Sequence, residues 1–263
     1  MKNDRVVTWT LQDNIAKIII DNPPVNVLNA DVIDQLTLVV DEIEGNPEVK
    51  VIVLTAKGEK AFVAGGDIKG FPFWMGKGVE EAKKKSLWLQ EPLNKLERLP
   101  QPTIAAINGL ALGGGCELAL SCDIRIAEEH VEIGLPEVKL GLFPGAGGTQ
   151  RLPRLIGKAR AKEMIFTGES ISAEEAQRIG LVNHVVPKGK SLEKAMEIAK
   201  AISNHSSKPI SLAKRSIDKG FEQPLNVGLV TEAEYFGHAF QTEDVMEGVE
   251  AFIQKRKPNF VNQ

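Results

Sequence analysis

The sequence predicts an α/β core that gives way to a helical region near residue 200. Short β-branched runs recur through the first half, amphipathic helical patterns separate them, and beyond Lys158 the periodicity is helical. Strands are expected at residues 6–11 and 16–21, and a third at 49–56, where Val49-Lys50-Val51-Ile52-Val53-Leu54-Thr55 suits burial on both faces. Between them, Val32, Ile33, Leu36, Val39, Val40 and Ile43 recur at three- and four-residue steps, which predicts a helix over residues 30–44 capped by Asn29. A longer helix is expected over 79–99, stopped by Pro100 and Pro102. Strands follow at 103–108, 123–127 and 132–133, divided by glycine turns and short helices, an alternation that implies crossover connections. Ser172-Ala173-Glu174-Glu175 spells a capping box, and Gly180 suits a helix C-terminus. Further helices fit residues 191–204, 210–220, 225–239 and 243–255. The last takes Thr242 as cap, acids in its first turn, Lys255-Arg256-Lys257 in its last turn and Pro258 as stop. The expected division is a core over residues 1–200 and a helical region over 201–263.

A chain of 263 residues can bury a substantial core, and its net charge of −3 gives no general attraction to nucleic acid or to an anionic membrane. No apolar run reaches membrane-spanning length. Met1-Lys2-Asn3-Asp4-Arg5 shows no signal-peptide block, so a cytoplasmic location is expected. Cys116 and Cys122 are six apart on what reads as one helix, facing different ways, which does not suit a disulfide. With no CxxC pair and four scattered histidines, no metal site is expected. No histidine lies near Cys116 in sequence, so a packed residue is favoured over a reactive thiol.

Two glutamates beside backbone-exposing glycine runs carry the chemistry. Glu117 closes Gly113-Gly114-Gly115-Cys116-Glu117, a run expected to leave a strand and open a helix. Glu137 follows Gly134-Leu135-Pro136 and precedes Gly141-Leu142-Phe143-Pro144-Gly145-Ala146-Gly147-Gly148. Ala64-Gly65-Gly66-Asp67 is a third such stretch. Glycine lets a ligand approach the main chain, where free N–H groups stabilise a developing oxyanion. Two carboxylates near such donors suit proton transfer at a carbon next to a polarised carbonyl. Taken singly, each run reads as a tight turn and each glutamate as a surface residue. Their combination points to an enzyme acting on acyl groups. The Gly145–Arg151 stretch lacks the third glycine of GxGxxG, and neither GK[ST] nor GxSxG is present. Lys83-Lys84-Lys85 and Lys158-Ala159-Arg160-Ala161-Lys162 read as solvated helix faces. Residues 70–78, with Phe71, Phe73, Trp74 and Met75, suit either part of an acyl-chain pocket or an aromatic patch packed on the helix that follows.

At these residues the chain resembles the crotonase (enoyl-CoA hydratase/isomerase) family. The matching pieces are Ala61-Phe62-Val63-Ala64-Gly65-Gly66-Asp67-Ile68-Lys69, residues 102–123, and Leu135-Pro136-Glu137 into residues 143–153, in collinear order over nearly the whole chain. The ending, residues 251–260, resembles the hydratase branch. The resemblance implies a spiral of ββα turns, followed by helices that build a homo-trimer, usually doubled into a hexamer. It implies that the N–H groups of Gly66 and Gly114 hold a thioester oxygen, and that Ala64, Gly66, Asp67, Ile68 and Lys69 lie along the CoA. Lys255 is implied at a CoA phosphate, across to a neighbouring subunit. Family members often carry alanine at the position of Gly66, which keeps the main-chain donor. No cofactor is implied beyond the coenzyme A of the substrate. Glu117 and Glu137, separated by 137 − 117 = 20 positions, follow the hydratase pattern, whereas isomerases commonly keep only the acid matching Glu137. The expected roles are therefore Glu117 as base toward water and Glu137 as acid toward the α-carbon. A double-bond isomerase is the alternative, and an RNA-binding protein on the same scaffold the more distant one. A nicotinamide oxidoreductase fails on the missing GxGxxG and on Tyr235, which has no lysine four residues later.

Overall fold

The structure is a computed structural model describing residues 5–261, so Met1–Asp4 of the N-terminal segment and the last two residues lie outside it. The chain opens as an antiparallel hairpin of β1 (Val7–Gln12) and β2 (Ile15–Ile20), turned at Asp13 and Asn14 with φ of 52° and 62°. Short polar side chains tolerate that left-handed region. Helix α1 (Ala30–Glu44) follows, and the Asn29 side chain accepts from the Val32 N–H at 3.0 Å.

From there the chain repeats one unit: a strand in a large sheet, a short strand in a small sheet, then a helix. The first unit is β3 (Val51–Ala56), β4 (Ala61–Val63) and α2 (Val79–Arg98), and the second β5 (Thr103–Ile107), β6 (Leu110–Leu112) and α3 (Gly114–Leu120). The third is β7 (Ile124–Glu128) and β8 (Glu132–Gly134), with α4 (Gly148–Ile156) and α5 (Lys158–Thr167). Then come β9 (Ile171–Ser172), α6 (Ala173–Arg178), β10 (His184–Val186) and α7 (Ser191–Ser203). The large sheet runs β1-β2-β3-β5-β7-β10 and the small one β4-β6-β8-β9. Apart from β1–β2 and β8–β9, the described pairs are parallel.

Every residue of β3 is buried. Ile52 and Leu54 enter the main core with Ile18, Leu36, Phe62 and Leu93, whereas Val51 and Val53 meet Ala195 and Ala199 of α7. The two-residue period of a strand thus divides β3 between two apolar layers. Beyond α7, α8 (Ser207–Phe221) and α9 (Leu225–Ala239) pack chiefly on each other, and α10 (Glu243–Ile253) follows. No residue of α9 is buried.

Several local expectations are corrected. Strands β4, β6, β9 and β10 have only two or three residues each, too few to show alternation. Helix α8 starts at Ser207, three residues early, because Pro209 falls in its first turn, where a missing N–H costs nothing. Helix α10 ends at Ile253, so Lys255-Arg256-Lys257 lie past its last turn, with Lys255 at φ 54°. The Thr242 hydroxyl donates backward to Ala239 O at 2.8 Å instead of capping α10. Ser172 accepts the Glu175 N–H at 3.2 Å, but the Glu175 carboxylate turns to Arg178, leaving half a capping box. Helix α3 stops at Leu120, so Cys122 is not on it; both cysteines are buried and free.

Candidate active site

Strands β4, β6 and β8 are parallel neighbours, so the loops after their C-terminal ends emerge side by side. Those loops carry Gly66, Gly114 and Glu137. The Leu28 N–H donates to Gly65 O at 2.9 Å and the Asp67 N–H to Leu28 O at 3.3 Å, which leaves the intervening Gly66 N–H facing away. Gly114 opens α3, where a first-turn N–H has no intrahelical acceptor. Neither N–H finds an acceptor among the described residues, and a Cβ on Gly114 would lie 3.5 Å from Gly66 N. Two unpaired donors share one opening.

Close packing fixes that geometry. A Cβ on Gly115 would stand 1.9 Å from Val63 O, so α3 rests directly on the backbone of β4. Gly113 turns into the helix at φ 53°, and a Cβ there would lie 3.0 Å from Glu137 Oε1.

Glu117 lies buried in the first turn of α3. Its Oε1 accepts the N–H of Ala146 at 2.7 Å and of Gly148 at 2.8 Å. Burial raises its proton affinity, and the two N–H bonds and the charge of Arg151 oppose that rise. Glu137 stands in a 3-10 turn, Pro136–Leu140, with a buried Oε2 that has no hydrogen-bond partner. Burial, and to a lesser degree the charge of Glu117, push its pKa up to about 7, against a bond from its own N–H. Two N–H groups of a neighbouring loop seat the carboxylate of Glu117, whereas Glu137 has only the bond from its own N–H and leaves Oε2 bare. The seat thus favours the ionised form of Glu117 over that of Glu137.

The glycine run beside Glu137 in sequence serves Glu117 in space, and Arg151, from the matching 143–153 run, fastens it together with residues of α2 that no motif includes. Arg151 forks onto Glu97 at 3.0 and 2.7 Å, donates to Asn94 Oδ1 at 2.7 Å and to Ala146 O at 3.2 Å. Ser86 Oγ and Gln90 Nε2 donate to Gly145 O at 2.6 and 2.9 Å. The signal for this was a polar stripe, Ser86, Gln90, Asn94 and Glu97, at helical spacing along α2.

The other predicted positions lie toward the rim. The Ala64 N–H donates to Val25 O at 3.1 Å, Asp67 precedes a 3-10 turn (Ile68–Phe73), and Ile68 and Lys69 are exposed. Lys255 is exposed past the end of α10, and no hydrogen bond or ion pair among the described residues joins it to the 64–69 segment. In the 70–78 loop, Trp74 packs toward α2: Lys85 Nζ lies 4.4 Å from its ring centroid and 3.2 Å from that of Trp88, beside a cavity of about 260 Å³. Among the described residues no group of His, Cys, Asp and Glu could hold a metal ion, and no helix is long and apolar enough to cross a membrane.

Two unpaired N–H donors beside one carboxylate seated by N–H groups and one carboxyl of raised proton affinity suit proton transfer next to a carbonyl. The sequence model described as Enoyl-CoA hydratase/isomerase matches residues 10–263, and the chain belongs to that family. It is 44% identical over 247 residues to the short-chain-enoyl-CoA hydratase of Clostridium acetobutylicum, covering 94% of each chain. It is 40% identical over 253 residues to the crotonyl-CoA hydratase of Syntrophomonas wolfei, covering 96% of each. Among solved structures it superposes on an enoyl-CoA hydratase from Bacillus anthracis with a TM-score of 0.92 at 41% identity, covering 98% of this chain and 100% of that one. The repeated β-β-α unit is thus the crotonase spiral.

Proposed function

We propose that the protein is an enoyl-CoA hydratase, a lyase that adds water syn across the 2,3-double bond of a 2-enoyl-CoA and runs reversibly to the 3-hydroxyacyl-CoA. The observation that carries the reading is the buried, partnerless Glu137 Oε2 in the same loop cluster as the free N–H groups of Gly66 and Gly114. The thioester oxygen accepts from Gly66 and Gly114, and one such donor is worth roughly 3–4 kcal/mol to a developing oxyanion. Glu117 takes a proton from water as the water oxygen bonds to C3. The C2–C3 π pair moves onto the thioester as an enolate, and the enolate collapses by taking the proton of Glu137 at C2. Both glutamates work on one face of the substrate, which makes the addition syn.

Ala64, Asp67, Ile68 and Lys69 line the CoA, and Lys255 reaches a CoA phosphate from a neighbouring subunit. Proton transfer alone suffices, so no cofactor is needed beyond the CoA of the substrate. The assembly is a homo-hexamer, a dimer of trimers built through residues 201–263, cytoplasmic, and placed in fatty-acid β-oxidation. Support for the assembly is the exposure of Leu229, Val230 and Phe236 on α9. Loss of enoyl-thioester absorbance with crotonyl-CoA tests the reaction. Rapid loss in wild type, abolished in Glu117→Gln and Glu137→Gln, is expected; loss that persists in both variants overturns the assignment.

A further inference from the structure

Arg151 takes no part in these proton transfers, yet it is bound on both sides of the seat of Glu117. Its side chain is only 10% exposed. From α4 it reaches Glu97 and Asn94 of α2 and the carbonyl of Ala146, the residue whose N–H holds Glu117 Oε1. Gly147, at φ 112°, lies between the two donors of the seat, Ala146 and Gly148. A Cβ on Gly147 would stand 2.1 Å from Arg151 Nη1, so the guanidinium lies across the loop itself. Ser86 and Gln90 hold the preceding carbonyl, Gly145 O, from the same helix. Five polar side chains thus tie the seat to α2: Arg151 with Glu97 and Asn94, and Ser86 with Gln90.

We propose that Arg151 is a positioning residue for Glu117: laid across Gly147 and anchored on α2, it fixes the two N–H groups that aim the carboxylate at the attacking water. The inference rests on the reading of Glu117 as the base. It adds a second effect, because a cation behind the seat favours the ionised carboxylate that a base requires. The charged and titratable groups about Glu117 are Cys116, its neighbour on α3; Arg125 from β7, which donates to Ala119 O near the end of α3; Glu137 from the turn after β8; Arg151 from α4; and Glu97 from α2, paired with Arg151. Arg151 is the cation whose charge opposes protonation of Glu117.

The test compares Arg151→Gln, Arg151→Lys and Glu117→Gln in crotonyl-CoA hydration, reading kcat, KM and the pH dependence of kcat/KM. A misaimed group costs about 100-fold at the upper end, so Arg151→Gln should lose roughly 10- to 100-fold in kcat with KM changed less than about threefold. Its acidic limb should move to higher pH, since a base that has lost a neighbouring cation holds its proton more tightly. Arg151→Lys keeps the charge and loses the fork, so its limb should stay at the wild-type position while kcat is only partly restored. Wild-type kcat in Arg151→Gln, with Glu117→Gln inactive, overturns the positioning role and leaves the base assignment standing. Equal kcat losses in both Arg151 variants with an unmoved limb also overturn it, as the signature of a merely structural side chain. Wild-type activity in Glu117→Gln sinks the base assignment and this inference together. If Arg151→Gln does not fold, Asn94→Ala removes one anchor and keeps the charge; a lowered kcat with an unmoved limb supports the proposal, and an unchanged kcat overturns it.

Discussion

Raising the pH should switch the enzyme off through Glu137. Its pKa is pushed up to about 7, chiefly by burial. A general acid must hold its proton to donate it, so activity belongs below that pKa and is lost above it. For a single acid the protonated fraction is one half at its pKa, roughly a tenth one unit higher and roughly a hundredth two units higher. The value of kcat/KM, which reports the free enzyme, should therefore fall about 50-fold between pH 7 and pH 9, approaching tenfold per unit. Bound substrate removes more water from the site and disfavours the carboxylate further, so the limb in kcat should lie at higher pH than the limb in kcat/KM. Stopped-flow loss of enoyl-thioester absorbance across pH 5.5 to 9.5 measures both limbs. A second reading comes from Glu117→Gln, with the Glu137 carboxyl carbon followed by NMR. Its pKa should drop when the Glu117 charge is removed, yet stay above 4.5, because burial is the larger cause. A kcat/KM that is flat through pH 9, or a Glu137 that titrates at 4.5 in the folded protein, would refute this account of the acid.

Two further outcomes follow from the packing. Nothing lies within 4 Å of a Cβ on Gly66, whereas one on Gly115 meets Val63 O at 1.9 Å. Gly66→Ala should keep kcat/KM within about threefold and leave stability equal or higher by ~0.4–1 kcal/mol. Gly115→Ala must push α3 off β4, at a cost of about 3 kcal/mol in urea unfolding; equal behaviour of the two variants would contradict the packing. Where Phe236 of α9 meets Phe240 just past the helix end, ring centroids 5.0 Å apart and both residues exposed, Phe236→Asp should yield a smaller species in sedimentation. Burying such a ring is worth about 1.5–3 kcal/mol per subunit, and an unchanged mass would exclude this face from the assembly.

What the sequence made legible depended on how much of each element repeats. Helix α1 carries six apolar residues on one stripe and a capping asparagine, and its limits, Ala30–Glu44, coincide with those read from that stripe. The long β-branched run of β3 announced burial on both faces. The small sheet had no such signal, because strands of two or three residues cannot alternate visibly. Yet that sheet determines which loops meet. Both glutamates and both glycines were visible as motifs, whereas their common location came from a parallel pairing of β4, β6 and β8 that no local pattern encodes. Helix α4 was hidden for a related reason: Gly147 and Gly148 read as loop residues, and Gly148 proves to be the first residue of the helix. A Cβ on Gly148 would lie 2.8 Å from Pro144 Cβ, 3.0 Å from Leu135 Cδ1 and 3.1 Å from Glu117 Oε1, so close packing on three sides keeps that position bare.

The unequal roles of two identical side chains come from main-chain atoms. Glu117 and Glu137 are both buried enough for their proton affinities to rise. Burial by itself, deeper at Glu117 than at Glu137, would favour the proton on Glu117. Two N–H groups on Glu117 Oε1 and none on Glu137 Oε2 oppose that, and Arg151 crosses the loop that carries those two groups at Gly147. Hydration needs the two acids in unlike states, since one must be empty for water while the other is loaded for carbon. Isomerisation, which carries a single proton between two carbons, needs only one acid that can give and take. The seat at Ala146 and Gly148, together with the acid it holds, is therefore what separates the two chemistries on this spiral, and the choice between them is written in the glycine run more than in Glu137.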